Sequence, residues 1–287
     1  MKPLEAAPRA GKAEAERQKP EMLTRTLSAL VLAAIALAAV VVSRWSFALL
    51  VIVCGIAVAW EWGRLVRNRE FDAIFILQAA VVAAIAIFVT LARPDLALIA
   101  VAVAFAGTAA IGMASGSLGW SLLGLAYSVL PAWSMVWLRS DAALGAAALL
   151  FLFAVAWTTD TASYVGGRLI GGPKLAPRIS PRKTWSGLIL GTLTPALIGY
   201  AVGVMWEQTS ALTLALVSVA VAAACQVGDL GESAVKRRFG AKDMSGLIPG
   251  HGGLLDRIDG LLIAAIAAAL IAFLHDPANP GRGLLIW

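Results

Sequence analysis

Apolar runs of about 20 residues follow one another along most of the chain, separated by short polar breaks. A helix of that length crosses the roughly 30 Å hydrocarbon core of a bilayer. In lipid the backbone must satisfy its own hydrogen bonds, and the runs lack the polar–apolar alternation of barrel strands, so helices are predicted. The pattern predicts nine helices, over residues 24–43, 46–63, 73–92, 95–113, 118–138, 142–165, 184–206, 210–235 and 257–274.

Composition indicates the same class of protein. Of the 287 residues, 60% are hydrophobic and 14% are charged, whereas a soluble domain of this length needs more polar surface. We therefore predict an all-α integral membrane protein, a polytopic bundle of about nine transmembrane helices with short loops, in which residues 23–287 form one domain. Residues 1–22 have many charged residues and no apolar period, which predicts a disordered cytoplasmic tail. Cys54 and Cys225 lie in apolar runs and are interpreted as small buried hydrophobic residues.

The distribution of positive charge predicts how the chain crosses the membrane. With a cytoplasmic N-terminus and nine spans, 19 of the 23 Lys and Arg residues lie inside, and the four outside are Arg44, Arg93, Arg139 and Arg282. The net charge of +6 then reflects topology and anionic lipid headgroups, and no nucleic acid partner is expected. Both long connections, 166–183 and 236–256, are predicted to be cytoplasmic.

Four carboxylates interrupt apolar helices near their cytoplasmic ends, namely Asp160, Asp229, Asp256 and Asp259. The last two share a helix face because they are three residues apart. A single acid in such a position could reach the interface or pair with a nearby Arg. Four acids at similar depth favour a functional site, and carboxylates without a Cys or His cluster are typical of magnesium rather than zinc.

The two long connections have the composition of phosphate-binding loops. In residues 176–187 (APRISPRKTWSG), basic side chains precede Thr184, a candidate N-cap, and a helix N-terminus favours anions. Residues 242–253 (KDMSGLIPGHGG) contain four glycines, which allow backbone N–H groups to approach a ligand closely. Either loop could also be no more than a basic cytoplasmic connector.

Longer segments carry a more specific signal. Residues 233–259 are SAVKRRFGAKDMSGLIPGHGGLLDRID, preceded by GDLGES at 228–233, and farther upstream are DTASYVGGR at 160–168 and PRISPRKT at 177–184. These segments resemble the signature of the phosphatidate cytidylyltransferases, also called CDP-diglyceride synthases. The resemblance extends over residues 155–260, and the N-terminal half is similar only as a hydrophobic multi-span region.

The resemblance implies an enzyme that converts CTP and phosphatidate to CDP-diacylglycerol and pyrophosphate at the cytoplasmic face of the bacterial inner membrane. It also implies a homodimer and dependence on Mg²⁺, with room for a second cation. A lipid phosphate is already a nucleophile at neutral pH, so the reaction needs charge neutralisation and in-line positioning rather than a strong base. Asp229 and Asp256 are the predicted metal ligands, with Asp259 and Asp160 as a further ligand or supporting groups.

Two sets of candidate residues follow from the resemblance. The catalytic set is Asp229, Asp256, Asp259, Lys236 and Lys242. The substrate-binding set consists of basic, hydroxyl and loop residues from the same segments: Arg178, Ser180, Lys183, Ser233, Arg237, Asp243, His251, Gly252, Arg257, Asp160 and Arg168. His251 is expected to shape its loop or contact the nucleotide rather than bind metal.

Three residues depart from the family's usual pattern. Ser186 stands where Glu is common, Gly172 where Lys is common and Gly260 where Ser is common. The first difference puts a possible acidic contact in doubt, and none of the three removes a residue assigned to the metal or the phosphates.

Other classes of protein remain as alternatives. A CTP-dependent lipid-alcohol kinase would use the same nucleotide at a membrane site, but the full signature from Ser233 to Asp259 argues against it. A CDP-alcohol phosphotransferase is disfavoured because its own acidic motif is absent from the sequence. A transporter would explain acids inside the membrane but not their position beside two anion-binding loops.

The predicted topology can be tested with single cysteines. A Cys placed at Ser180 should react with an impermeant thiol reagent only from the cytoplasmic side, and one at Ala278 only from outside, because the two positions lie on opposite faces in the nine-span arrangement. Labelling of intact cells and of inverted vesicles measures this. Reaction of both positions from one side would contradict the arrangement.

Overall fold

A computed structural model describes residues 27–206, 209–248 and 252–287. The predicted tail at 1–22 and His251 lie outside these residues. The helices are α1 (Leu27–Val42), α2 (Arg44–Arg67), α3 (Ala73–Thr90), α4 (Pro94–Ala114), α5 (Leu118–Ser140), α6 (Gly145–Leu169), α7 (Trp185–Leu193), α8 (Ala196–Met205), α9 (Ala211–Arg238), α10 (Leu255–His275) and α11 (Pro280–Leu285). Strands β1 (Lys174–Ala176) and β2 (Ser180–Thr184) lie between α6 and α7.

The all-α polytopic prediction is confirmed. Within the described ranges, eight helical segments are long and apolar enough to cross a membrane, and α1 is a shorter apolar helix in addition. One of the eight segments is formed by α7 and α8 together, over Trp185–Met205. Many large apolar side chains are exposed on the outer faces of these helices, as expected of surfaces that meet lipid.

The structure corrects the sequence prediction in two places. The predicted helix at 184–206 is interrupted between Leu193 and Ala196, where Pro195 lacks the backbone N–H that a continuing helix needs. The predicted connection at 166–183 contains the end of α6 and an antiparallel β-hairpin, in which Lys174 pairs with Thr184 and Ala176 pairs with Ser180.

The junction between α1 and α2 consists of Ser43 alone. The Ser43 hydroxyl accepts a hydrogen bond from the Ser46 N–H at 3.0 Å, and the Ser46 hydroxyl accepts one from the Ser43 N–H at 3.0 Å. The Ser46 hydroxyl also donates to the Ala39 carbonyl at 2.9 Å. This reciprocal capping box begins α2 immediately after α1 and fixes the angle between them.

The other end of α2 is held by an ion pair. The Arg67 guanidinium donates to Asp72 at 2.7 Å, and Asp72 also accepts the Phe75 N–H at 2.8 Å as the N-cap of α3. Burial would raise the pKa of Asp72, but these hydrogen bonds outweigh it and keep that pKa below its usual value.

Helices α9 and α10 pack closely because glycines lie at their contact. A Cβ atom on Gly260 would lie 2.6 Å from the Cys225 sulfur, and one on Gly228 would lie 2.8 Å from the Asp259 carbonyl oxygen. Either distance is too short for a real side-chain atom, so the two helix backbones can approach each other only with glycine at these positions. Gly260, named above as a departure from the family pattern, therefore fits this structure.

The long connections meet at one end of the helices. The Arg237 guanidinium, at the end of α9, donates to the Ile179 carbonyl of the hairpin at 3.2 Å, and Ser245 in the connection after α9 donates to Glu61 near the end of α2. At the opposite end, Asp141 accepts the Gly281 N–H at 3.0 Å. We call the first of these ends the site end. Its orientation toward the cytoplasm stays a prediction.

Candidate active site

Three helices bring carboxylates together at the site end. Asp160 comes from α6, Asp229 from α9 and Asp259 from the second turn of α10. Asp160 and Asp259 line one cavity, and Gly228, the residue before Asp229, packs against the Asp259 carbonyl. The close packing of α9 on α10 is what places Asp229 beside Asp259. The structure thus juxtaposes three of the four acids selected from the sequence.

Asp229 is paired with a lysine from the hairpin. The Lys183 ammonium lies 2.6 Å from an Asp229 oxygen, and the Asp229 side chain is 39% exposed. Lys183 stands one residue before Thr184, whose hydroxyl accepts the Gly187 N–H at 3.1 Å and caps α7. The predicted cap is therefore present, and the hairpin places a cation against the acid of α9.

A second lysine is shared by two buried acids. The Lys236 ammonium lies 2.6 Å from Glu232, one turn earlier in α9, and 2.6 Å from Asp256 in α10. The side chains of Glu232, Asp256 and Lys236 are only 1%, 5% and 12% exposed. A buried charge is tolerated when it is paired, so this group is a compact ionic link between α9 and α10.

Asp256 also organises the backbone that precedes α10. One of its oxygens accepts the N–H of Met244 at 2.8 Å and the N–H of Gly253 at 2.8 Å, while the other accepts from Lys236. Asp229 and Asp256, the two predicted metal ligands, are therefore held by different lysines in this structure. Their joint role at a metal ion stays a prediction.

Glu61 of α2 reaches the same region. Its side chain is completely buried, and its two oxygens accept hydrogen bonds from the Ser245 hydroxyl, the Leu254 N–H at 2.8 Å and the Leu255 N–H at 2.7 Å. The sequence interpretation missed this residue. The available signal was a lone acid within the otherwise apolar stretch AVAWEWG at 57–63.

The other predicted residues surround these pairs. Arg237 is exposed and donates to the carbonyls of Ile179 and Ala241. Ser233 is buried beside Glu232 on α9. Among the other predicted catalytic and substrate-binding residues, the exposed ones are Arg178, Lys242, Asp243 and Arg257, while Ser180 and Gly252 are partly buried.

Gly252 and Arg168 are each placed by local structure. Gly252 has φ of 87° and exchanges backbone hydrogen bonds with Ile248, as a glycine can at a tight turn. Arg168 lies at the end of α6, where its guanidinium donates to the Tyr164 hydroxyl at 2.6 Å and faces that ring. This pair is exposed, and the predicted role of Arg168 in substrate binding stays a prediction.

Two departures from the family pattern lie next to each other. The Ser186 hydroxyl donates to the Gly171 carbonyl and is 3.0 Å from the Thr184 hydroxyl, so it joins the start of α7 to the end of α6. Gly172 has φ of 97°, a conformation that strains other residues. Ser186 therefore has a structural role at this position, which the sequence could not show.

An apolar cavity of about 350 Å³ reaches this end of the molecule. Residues from α1, α2, α5, α6 and α10 line it, and the polar ones among them include Asp160, Asp259, Arg257 and Tyr127. Tyr127 was not selected from the sequence. It is stacked on Trp62 at a ring distance of 5.3 Å, and its buried hydroxyl has no hydrogen-bond partner in the described part of the chain. The cavity thus joins an apolar chamber to the carboxylates.

Fold and site together define a polytopic membrane protein with acids and lysines gathered at one end of its helices, beside an apolar cavity. The chain belongs to the cytidylyltransferase family, whose family model matches residues 23–275. This confirms the family expected from the signature.

Individual relatives match over most of their length. The chain is 39% identical to the phosphatidate cytidylyltransferase of Brucella suis over 258 residues, which is 90% of this chain and 96% of that protein. It is 39% identical to that of Brucella abortus over 242 residues, or 84% and 90% of the two chains. It is 35% identical to that of Rickettsia bellii over 160 residues, or 53% and 69%.

The shared lysine gives a stability prediction. Lys236→Met should destabilise the protein by about 3–5 kcal/mol, because Glu232 and Asp256 are left buried without their cation. Adding Glu232→Gln should restore part of the loss by removing one of the unpaired charges. Unfolding of the purified variants in detergent measures this. Equal stability of Lys236→Met and the unaltered protein would contradict the ionic link.

Proposed function

We propose that the chain transfers the cytidylyl group of CTP to phosphatidate, giving CDP-diacylglycerol and pyrophosphate. The observation that carries the proposal is its 39% identity to a protein named phosphatidate cytidylyltransferase, over 90% of this chain and 96% of that one. In the reaction, a phosphate oxygen of phosphatidate bonds to the α-phosphorus of CTP. The bond from that phosphorus to the oxygen shared with the β-phosphorus breaks, and pyrophosphate leaves.

The site supplies what this reaction requires. Both substrates carry phosphate charge and repel each other, so they need cations around them and a fixed in-line approach. Lys183 and Lys236 are paired with carboxylates here. In the proposal both lysines turn from Asp229 and Asp256 toward phosphate oxygens when nucleotide binds, while Arg178, Arg237 and Lys242 supply further donors at the exposed rim.

The acids fit a hard divalent cation, which we propose to be magnesium. Asp160 and Asp259 line the same cavity, Asp229 lies on the neighbouring helix α9, and all three offer the oxygen donors that magnesium prefers. Over the described ranges, no group of three His, Cys, Asp or Glu side chains is arranged to hold a metal ion. Magnesium usually needs only one or two carboxylates beside substrate phosphates and water, so Asp229 and Asp256 would hold it, with Asp259 and Asp160 as supporting groups. When bound, the ion would neutralise charge on the triphosphate.

The cavity suits the lipid substrate. Its wall is mainly apolar and comes from α1, α2, α5, α6 and α10, while Arg257 and Asp259 are among its polar residues. Acyl chains placed in the cavity would leave the phosphate of phosphatidate beside the carboxylates and lysines. We further propose a homodimer in the bacterial inner membrane with the site end in the cytoplasm, as the charge distribution and the bacterial relatives suggest.

A product assay tests the proposal. Purified protein incubated with phosphatidate, labelled CTP and magnesium should form a labelled CDP-lipid and release pyrophosphate. A lipid-alcohol kinase would instead give CDP and a phosphorylated alcohol. Substrate flux in proteoliposomes without turnover of CTP would indicate a transporter, and either result would overturn the proposal.

The roles of Asp229 and Asp256 give a quantitative prediction. Asp229→Asn and Asp256→Asn should each lower turnover at least about a hundredfold, or about 2.7 kcal/mol, because each removes a negative oxygen ligand at nearly constant size. The double variant should be little worse than either single one, since the two acids act as a unit. Initial rates at limiting magnesium measure this.

Asp95→Asn is the matched control. Asp95 pairs with Arg93 at 2.8 Å at the start of α4, and both side chains are more than half exposed. An exposed pair contributes little, so this variant should be nearly silent. Near-normal rates in a folded Asp229→Asn or Asp256→Asn protein would show that the metal assignment is wrong.

A further inference from the structure

We propose that Glu61 is a positioning residue that holds the N-terminus of α10, and with it Asp256 and Asp259, in the arrangement that the reaction uses. Glu61 lies in the half of the chain where sequence similarity predicted only hydrophobic spans. The proposal rests on the cytidylyl transfer proposed above. Glu61 acts through the backbone at Leu254 and Leu255.

The contacts of Glu61 join two segments that are distant from it in sequence. One oxygen accepts from the Ser245 hydroxyl and from the Leu254 N–H at 2.8 Å, and the other accepts from the Leu255 N–H at 2.7 Å. Both oxygens are therefore used, and the side chain is 0% exposed. Burying a carboxyl group this fully costs free energy unless the group is hydrogen-bonded. The three hydrogen bonds offset that cost.

Helix α10 needs this outside partner. The first N–H groups of any helix have no carbonyl partner within the helix, and they attract negative groups. Leu254 occupies the N-cap position of α10, and no side chain there makes a cap hydrogen bond. Glu61 supplies the missing acceptor from a residue 193 positions away.

Gly253 couples Glu61 to the proposed metal ligand. A Cβ atom at Gly253 would lie 2.6 Å from a Glu61 oxygen and 2.8 Å from an Asp256 oxygen, so both carboxyl groups lie against the same face of this glycine, in the space that a side chain would occupy. The Gly253 N–H donates to Asp256 at 2.8 Å. A shift of Glu61 therefore moves the backbone that orients Asp256, and Asp259 follows one turn later on the same helix.

Glu61 is itself held firmly. The neighbouring Trp62 is buried, stacks on Tyr127 and donates from its indole nitrogen to the Trp120 carbonyl at 3.0 Å. Five residues after Trp62, Arg67 forms an ion pair with Asp72. Because α2 is anchored at Trp62 and again at Arg67, the Glu61 carboxyl group holds the start of α10 in a fixed position relative to α2.

Glu61→Gln tests the proposal with the smallest change of shape. The Gln amide keeps one acceptor oxygen, but its NH₂ group replaces the other oxygen and faces a backbone N–H that is also a donor. At least one hydrogen bond to the start of α10 is therefore lost, without leaving a cavity. We expect kcat to fall at least about tenfold and the magnesium concentration for half-maximal rate to rise, with KM for phosphatidate unchanged within about twofold. General destabilisation does not produce this division between kcat and KM.

A second measurement does not depend on activity. Leu247 lies in the connection that Ser245 helps to hold, and its side chain is 48% exposed. A spin label on Leu247→Cys, in a protein with Cys54→Ala and Cys225→Ala, should become more mobile when Glu61→Gln is added. The proposal would be overturned if adding Glu61→Gln left the spectrum unchanged, or if the turnover of the Glu61→Gln variant stayed within twofold of that of the unaltered protein.

Gln78→Leu is the matched control. Gln78 is as buried as Glu61, comes from the neighbouring helix α3 and donates to the Ser121 carbonyl of α5 at 3.2 Å rather than accepting from the backbone of α10. This variant should lose stability, while its kinetics and the mobility of the Leu247 label stay unchanged. If Gln78→Leu lowered kcat as much as Glu61→Gln does, the proposal would also be overturned. If the unaltered protein made no CDP-lipid, the proposed function would fail, while the label would still report whether Glu61 holds this segment.

Discussion

Charge buried among membrane helices must be compensated locally, and the site end of this protein is organised by that requirement. Lys236 compensates Glu232 and Asp256, Lys183 compensates Asp229, and backbone N–H groups compensate Glu61. The partners come from α2, the hairpin, α9 and α10. The same interactions that make the acids tolerable therefore also connect segments that are far apart in sequence.

Close packing of backbones makes this compensation possible. Gly228 and Gly260 let α9 and α10 approach each other at the level where Asp229 and Asp259 stand. A larger residue at either position would separate the helices and lengthen the ion pair between Lys236 and Asp256. Small residues at a helix contact are common in membranes, where close packing replaces much of the hydrophobic driving force. Here they also set the distances between charges.

The sequence predicted the spans well because apolar length in lipid leaves few alternatives to a helix. It also selected Asp160, Asp229 and Asp259, since an acid in an apolar run is conspicuous. It did not predict the hairpin, because residues 174–184 are basic and lack the alternation of a strand. It did not assign partners, because residue types alone do not say that Lys183 meets Asp229.

Glu61 and the break at Pro195 show two different limits of sequence interpretation. The break has a local cause, and the proline could have predicted it. The role of Glu61 depends on a contact across 193 positions, and no local pattern encodes such a contact. Ser186 is similar, since its partner Gly171 belongs to a different helix end.

The one-residue joint at Ser43 has a consequence for the shape of the cavity. Helix α1 forms one wall of the cavity and α2 forms the next. No further residues separate α1 from α2 at this junction. The hydrogen bonds between Ser43 and Ser46 therefore fix the angle at which the two walls of the cavity meet. In the proposed lipid-binding role of the cavity, the angle between α1 and α2 would therefore set how much acyl chain fits, at a point of the chain separate from the charged site.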